Sequence, residues 1–201
     1  MGRNDRLHKM LGLIESETTS DSEIILVMDL FDVSSPSGRI DFDCLTAMHP
    51  KVKIITTNIR GCWRCTNVGI EAAKYDFIMW TADDALPHSG WFWNGVQAFR
   101  SNFPDGLGLL ILNDLAMGNQ IAGHAMTTKR FMTVLFGEPK FPEGFSHLFC
   151  DTMIADWAKD IGRGVLCERS ILEHMHWRYE KSMRDATNIM CESRCEQDKG
   201  F

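Results

Sequence analysis

The sequence predicts an α/β protein, a three-layer sandwich with helices on both faces of a mostly parallel central sheet. Two observations carry that reading. Short apolar, β-branched runs alternate with segments of helical spacing, and acidic residues recur at the carboxyl ends of those runs, at Asp29, at Asp83 and Asp84, and at Asp114. In open α/β sheets, ligands sit beyond such strand ends.

Leu7, Met10, Leu11 and Ile14 fall at i, i+3, i+4 and i+7 behind Asn4 and Asp5 as candidate N-caps, so the chain opens on an amphipathic helix. Residues 23–28, EIILVM, form the continuous apolar run of a strand buried on both faces and lead to Asp29, after which 32–39 read as a polar loop. Residues 51–57, KVKIITT, make a second strand, and 62–74 a helix that ends before the strand Phe77-Ile78-Met79-Trp80. Trp91, Phe92, Val96 and Phe99 mark a short helix, 106–114 (GLGLLILND) a further strand, and Thr127 or Thr128 caps a helix running through Leu135. Residues 137–149 are rich in Gly, Pro and Phe without a period and read as a loop. Ile154, Trp157, Ala158 and Ile161 mark one face of a helix stopped by Gly162, and strands from Val165 and from Ile171 follow. A single domain over 1–187 with a polar tail over 188–201 accounts for the chain.

The balance of 21 Lys and Arg against 27 Asp and Glu gives a net charge of -6, which argues against a general nucleic-acid or anionic-membrane surface. No apolar run approaches the roughly 18 residues of a membrane span, and the start MGRNDRLHKM lacks the apolar core of a signal peptide. Seven scattered cysteines, an odd number, suit free thiols in a reducing compartment. The expected location is therefore the cytoplasm, that of the host if the chain is viral.

Asp83 and Asp84 are adjacent like charges at the end of a buried strand, before Pro87. Two such carboxylates share a proton or a cation, and hard divalent cations bridge carboxylates to phosphates. The alternative makes them turn residues, with Asp83 as a cap. Arg60, just after the second strand, can meet phosphate oxygens as a forked cation. Asp151 opens a helical pattern, where it can act as a general base or as an N-cap. His174 and His176 alternate and so share a face of a strand, as ligands or as packed imidazoles. Cys62-x-x-Cys65 with these histidines offers an alternative zinc site, although His-x-His is tighter than the usual ligand spacing. Trp91, Phe92 and Trp93 are core or a sugar-stacking surface, and Asp185 reads as structural.

The order EIILVMD, RCTNVGIEAAKYDFIMWTADDA, FCDTMIADWAKDIGR, ILEHMHW resembles the GT-A fold of nucleotide-sugar glycosyltransferases, family 2-like, and EHMHWRYEKSMRDATN looks most like small phage and bacterial members. The resemblance covers roughly residues 2–188. It implies transfer of a sugar from a nucleoside-diphosphate sugar to an unspecified hydroxyl acceptor, with Mn2+ or Mg2+ as cofactor and inversion if Asp151 is the base. Asp29 would lie by the nucleotide base, Asp83 by the ribose or metal, and Asp84 would bind metal. His176, or else His174, would be the metal-binding histidine. The family's first strand, normally upstream of a Gly-Arg like Gly2-Arg3, is missing, so the sheet is expected to lack it. Two rivals remain: a nucleotidyltransferase, which would want a glycine-rich phosphate loop near the N-terminus, and a non-catalytic GT-A-like binding module.

Overall fold

A computed structural model describes residues 3–30, 41–145, 148–182 and 189. The loop expected over 32–39, Asp185, the 187/188 boundary and most of the tail lie outside them. The first helix, α1 (Arg3–Glu17), buries Leu7, Met10, Leu11 and Ile14 as the spacing predicts. It begins before Asn4 and Asp5, so neither caps it. Strand β1 (Ile24–Asp29) is followed by α2 (Phe42–Met48), where Asp41 Oδ1 accepts the N–H of Cys44 at 3.0 Å as an N-cap. Strand β2 (Val52–Thr57) runs parallel to β1, with Asp29 opposite Thr57. Then come α3 (Cys62–Ala72), β3 (Phe77–Trp80), β4 (Ala85–Pro87), α4 (Trp91–Asn102), β5 (Leu109–Asn113), β6 (Ala125–Thr128), α5 (Lys129–Phe136), α6 (Cys150–Asp160) and β7 (Gly164–His174), closed by a 3-10 turn, Trp177–Tyr179.

The strands form two ladders, β1-β2 and a five-stranded sheet in the order β3-β6-β5-β7-β4. The sheet is mixed rather than mostly parallel, because in the larger ladder only β5 and β7 run parallel. Two local features cause this. Asp114 Oδ1 accepts the N–H groups of Ala116 and Met117 at 2.9 and 2.8 Å, turning the chain after β5 so that β6 returns antiparallel beside it. The three-residue β4 lies at an edge, the position a strand ending in Pro87 can occupy.

Alternation along β5 divides the core. Leu110 and Leu112 join Met126, Leu172, α1 and α4 in one cluster, while Leu109 and Ile111 join Trp80, Ala125, α3, α5 and α6 in the other. Helices therefore cover both faces of the sheet. Thr128 caps α5 by accepting the N–H of Phe131 at 3.0 Å.

The two strands expected from Val165 and Ile171 are one strand. Its register against β5 jumps from Leu112–Cys167 to Asn113–Ile171, leaving residues 168–170 over. That excess is tied to α4: Ser170 Oγ donates to the carbonyl of Trp91 at 2.7 Å and Asn94 Nδ2 to that of Arg169 at 2.9 Å.

In α6 the buried face is Cys150, Ile154, Ala155 and Ala158, whereas Trp157 and Ile161 are 45% and 53% exposed. Trp157 instead leans on Phe136, with ring centroids 5.7 Å apart. The helix stops where expected, at Gly162 with φ +70, and the N–H of Arg163 bonds back to Ala158 at 2.7 Å.

The turn out of α6 leaves no room at Gly164, where a Cβ would lie 2.9 Å from the backbone nitrogen of Lys159. Backbone cannot yield as a side-chain tip can. Gly164→Ala should cost about 1–3 kcal/mol, read as a lower urea midpoint at unchanged m-value. Gly12, within α1, has nothing within 4 Å of where a Cβ would stand; Gly12→Ala should stabilise by about 0.5–1 kcal/mol. Equal effects of the two substitutions would contradict this packing.

Candidate active site

Every residue of β1 and of β3 lines one cavity of ≈ 1590 Å3, and no ladder joins these two strands among the described residues. Asp29, Asp83, Asp84, His124, Asp151, His174 and His176 line it as well. Asp29 ends β1, and Asp83 and Asp84 form the turn between β3 and β4. Asp151 is in the first turn of α6, His174 ends β7, and His176 follows as the N-cap of the 3-10 turn. Residues far apart in the chain thus meet beyond strand ends. Arg60 is exposed in the connection before α3 and is not among the lining residues.

The Asp84 turn is held against the end of β7 by backbone. Ala85 lies opposite His174 in the β4–β7 ladder, Met175 donates its N–H to the carbonyl of Asp84 at 2.8 Å, and His174 donates its N–H to that of Asp114 at 3.0 Å. The side chains follow: Asp84 Oδ1 stands 3.3 Å from His174 Nε2, with 19% and 21% of the two side chains exposed. Asp84 therefore meets His174 rather than His176. His176 spends Nδ1 as an acceptor for the N–H of Arg178 at 3.3 Å, and its ring lies 5.3 Å from that of His174.

Burial alone would raise the Asp84 carboxyl, but the hydrogen bond and charge of His174, with the nearby His124 and His176, bring it down to about 2. Burial works against a charged His174, yet the bond to Asp84 and the charges of Asp84, Asp114 and Asp151 outweigh it and raise His174. Burial raises Asp151, against the lowering effect of the N–H of Thr152 at 3.0 Å and of His174. The N-cap of α6 is Phe149, in left-handed conformation at φ 65, so Asp151 is not the cap.

His124 is the site residue that sequence reading misses. It precedes β6, is 2% exposed, and places Nδ1 3.0 Å from the hydroxyl of Thr81. Its ring packs edge-on to His174 at 5.3 Å, and Nε2 is buried without a hydrogen-bond partner among the described residues. Burial, with the charge of His174, lowers it to about 4. A lone His between Gly123 and an apolar run was the only sequence signal.

Cys62 and Cys65 sit in the first turn of α3, Cys65 donating its thiol to the carbonyl of Ile59 at 3.3 Å. Among the described residues no three His, Cys, Asp or Glu side chains are gathered closely enough to close on a cation as they stand. Asp114 is buried and serves the turn after β5. Trp91 is core at 1% exposure, whereas Trp93 is 48% exposed.

No protein-family model matches the sequence, and no curated protein sequence matches it. Among solved structures, a mannosyltransferase from Pyrobaculum calidifontis, in complex with GDP-mannose and Mn2+, superposes with a TM-score of 0.65 at 12% identity. The chain has a glycosyltransferase-like fold. The match covers 95% of this chain and 66% of the other, so the chain spans about two thirds of the mannosyltransferase's length. In this glycosyltransferase-like fold no helix of the described residues is long and apolar enough to cross a membrane.

The Asp84–His174 contact makes stability depend on pH. His174 is raised in the folded chain, so its contribution is complete below its unfolded value of about 6.5 and fades as pH rises through the folded value. Asp84's share is complete above its unfolded value of about 3.9 and is lost as pH falls toward about 2. Asp84→Asn should destabilise by about 1–3 kcal/mol at pH 5–6, and by progressively less as pH rises. Denaturant melts across pH measure it; a deficit that grows with pH would contradict the pairing.

Proposed function

We propose that the chain is a metal-dependent glycosyltransferase that moves a sugar from a nucleoside-diphosphate sugar to a hydroxyl acceptor with inversion. The single observation that carries this is the gathering of Asp29, Asp83, Asp84, Asp151, His174 and His176 around one cavity in a glycosyltransferase-like fold. Asp29 serves the base, and Asp83 the ribose or the cation. Arg60 serves the phosphates if its connection moves toward the cavity.

Asp84 with His174, or with His176, would hold a divalent cation, Mn2+ or Mg2+. The donor types fit, since a carboxylate oxygen and an imidazole nitrogen already stand 3.3 Å apart with a second imidazole beside them. Such a cation supplies neutralisation of the charge that develops on the leaving diphosphate.

The protein's own part in the chemistry falls to Asp151. Its carboxylate takes the proton of the acceptor hydroxyl as the acceptor oxygen bonds to the anomeric carbon; the bond from that carbon to the diphosphate oxygen breaks, and its electron pair leaves with the diphosphate. Burial raises the carboxyl, toward the range in which a base works near neutral pH. The mannosyltransferase's GDP-mannose and Mn2+ support a donor and cation of the same kinds here.

Asp151→Asn tests the assignment. It should leave binding of sugar nucleotides intact and cut turnover by about 100-fold or more, with donor hydrolysis as the readout where no acceptor is supplied. Turnover surviving intact in the Asn variant would remove Asp151 as the base. Wild type that binds donors and never turns them over, with any acceptor offered, would favour a binding module.

A further inference from the structure

Phe149 is an aromatic residue in a place that local structure does not favour. Its φ of 65 lies in the left-handed region, which strains a bulky side chain. It occupies the N-cap of α6 without making a capping hydrogen bond, a position that Ser, Thr, Asp, Asn or Gly fills best. Nor is it core, since it is 40% exposed and belongs to neither cluster. It lines the cavity, two residues before Asp151. Backbone strain of this kind gathers at binding and catalytic sites.

A second ring comes from the 3-10 turn after β7. Tyr179 lines the same cavity, with its centroid 6.1 Å from that of His174 and 6.2 Å from that of His176. Burial raises its phenol, as do the charges of Asp114 and Asp151, against the lowering effect of Arg178. The phenol thus keeps its proton in the field of the Asp151 carboxylate, and its hydroxyl can both donate and accept. Near Asp151 the cavity therefore offers aromatic faces and a phenolic hydroxyl. A pyranose ring matches that chemistry. Its flat C–H face packs on an aromatic ring, and its rim of hydroxyls supplies a partner for the phenol and the proton that Asp151 takes. An acyclic polyol lacks the flat face, and a simple alkyl alcohol lacks the second hydroxyl.

We propose that Phe149 and Tyr179 form the acceptor subsite beside Asp151, and that the acceptor is a pyranose ring stacked on Phe149. The inference rests on the glycosyltransferase reading above and names the acceptor that this reading leaves open.

The test uses the full chain and the methyl glycosides of glucose, galactose, mannose and N-acetylglucosamine, with saturation-transfer nuclear magnetic resonance reporting which ligand protons touch the protein. At least one glycoside should bind wild type, its ring C–H protons receiving the strongest transfer, while sorbitol and 1-butanol receive little. Phe149→Gly should bind that glycoside about fivefold more weakly or worse. It should melt no lower than wild type, because glycine takes positive φ without strain and is an accepted N-cap. A ring that served only packing would give the opposite pair of results. Phe149→Leu keeps apolar bulk without a flat face and should weaken binding as well, and Tyr179→Phe should weaken it about threefold or more. Unchanged affinity in Phe149→Leu, or equal transfer to sorbitol, would overturn the proposal. So would a wild type that binds no member of the panel, with or without a nucleoside diphosphate and Mn2+; donor hydrolysis by that same protein would leave the glycosyltransferase reading standing. A glycoside held through Phe149 by a chain that neither binds nor turns over any donor would keep the pyranose subsite and overturn the transferase reading.

Discussion

The site depends on where β7 ends. Residues 168–170 drop out of the ladder with β5, and the strand resumes at Ile171 in a new register that lets Leu172–His174 pair with β4. Without that excess, His174 would not face Ala85, and the backbone bonds from Met175 to Asp84 and from His174 to Asp114 would not form. The excess is itself held by Ser170 and Asn94 against α4. A core helix packed on one face of the sheet thus fixes a carboxylate and an imidazole at its end.

That placement separates the two carboxylates by environment. Asp84, beside His174 and within reach of His124 and His176, is held ionised, while burial pushes Asp151 up against the lowering effect of two backbone N–H groups, those of Thr152 and of Asp151 itself, and of the charge of His174. Pairs of titratable groups driven apart in this way divide the labour of acid–base chemistry from that of charge stabilisation. Here the lowered carboxylate stands with the imidazoles in the turn between β3 and β4, and the raised one stands in the first turn of α6.

What was legible in the sequence follows physical lines. The face of α1, the strands at 23–28 and 51–57, the Thr128 cap and the Gly162 stop all rest on local rules, and each is present. The acidic residues could be placed at strand ends because strand ends are local too. Pairing direction is not local, so the antiparallel return of β6 and the short edge strand β4 were out of reach. Trp157 suited the helical period but packs on Phe136 at the surface. Which of His174 and His176 stands against Asp84 depended on register, and His124, a single histidine with no spacing partner, carried no pattern at all.

If the cavity between β1 and β3 holds a nucleoside diphosphate through a divalent cation at its acidic end, the two ligands should stabilise the chain together and not apart. The decisive experiment is thermal unfolding of the wild-type chain with a panel of nucleoside diphosphates, in Mn2+, in Mg2+ and in a chelator. At about 100 times its dissociation constant a ligand adds about 2.7 kcal/mol, a readable rise in melting temperature. That rise is expected for at least one nucleoside diphosphate with Mn2+ present, and it should vanish on chelation. No rise with any member of the panel, or a rise indifferent to metal, would contradict the metal-bridged site.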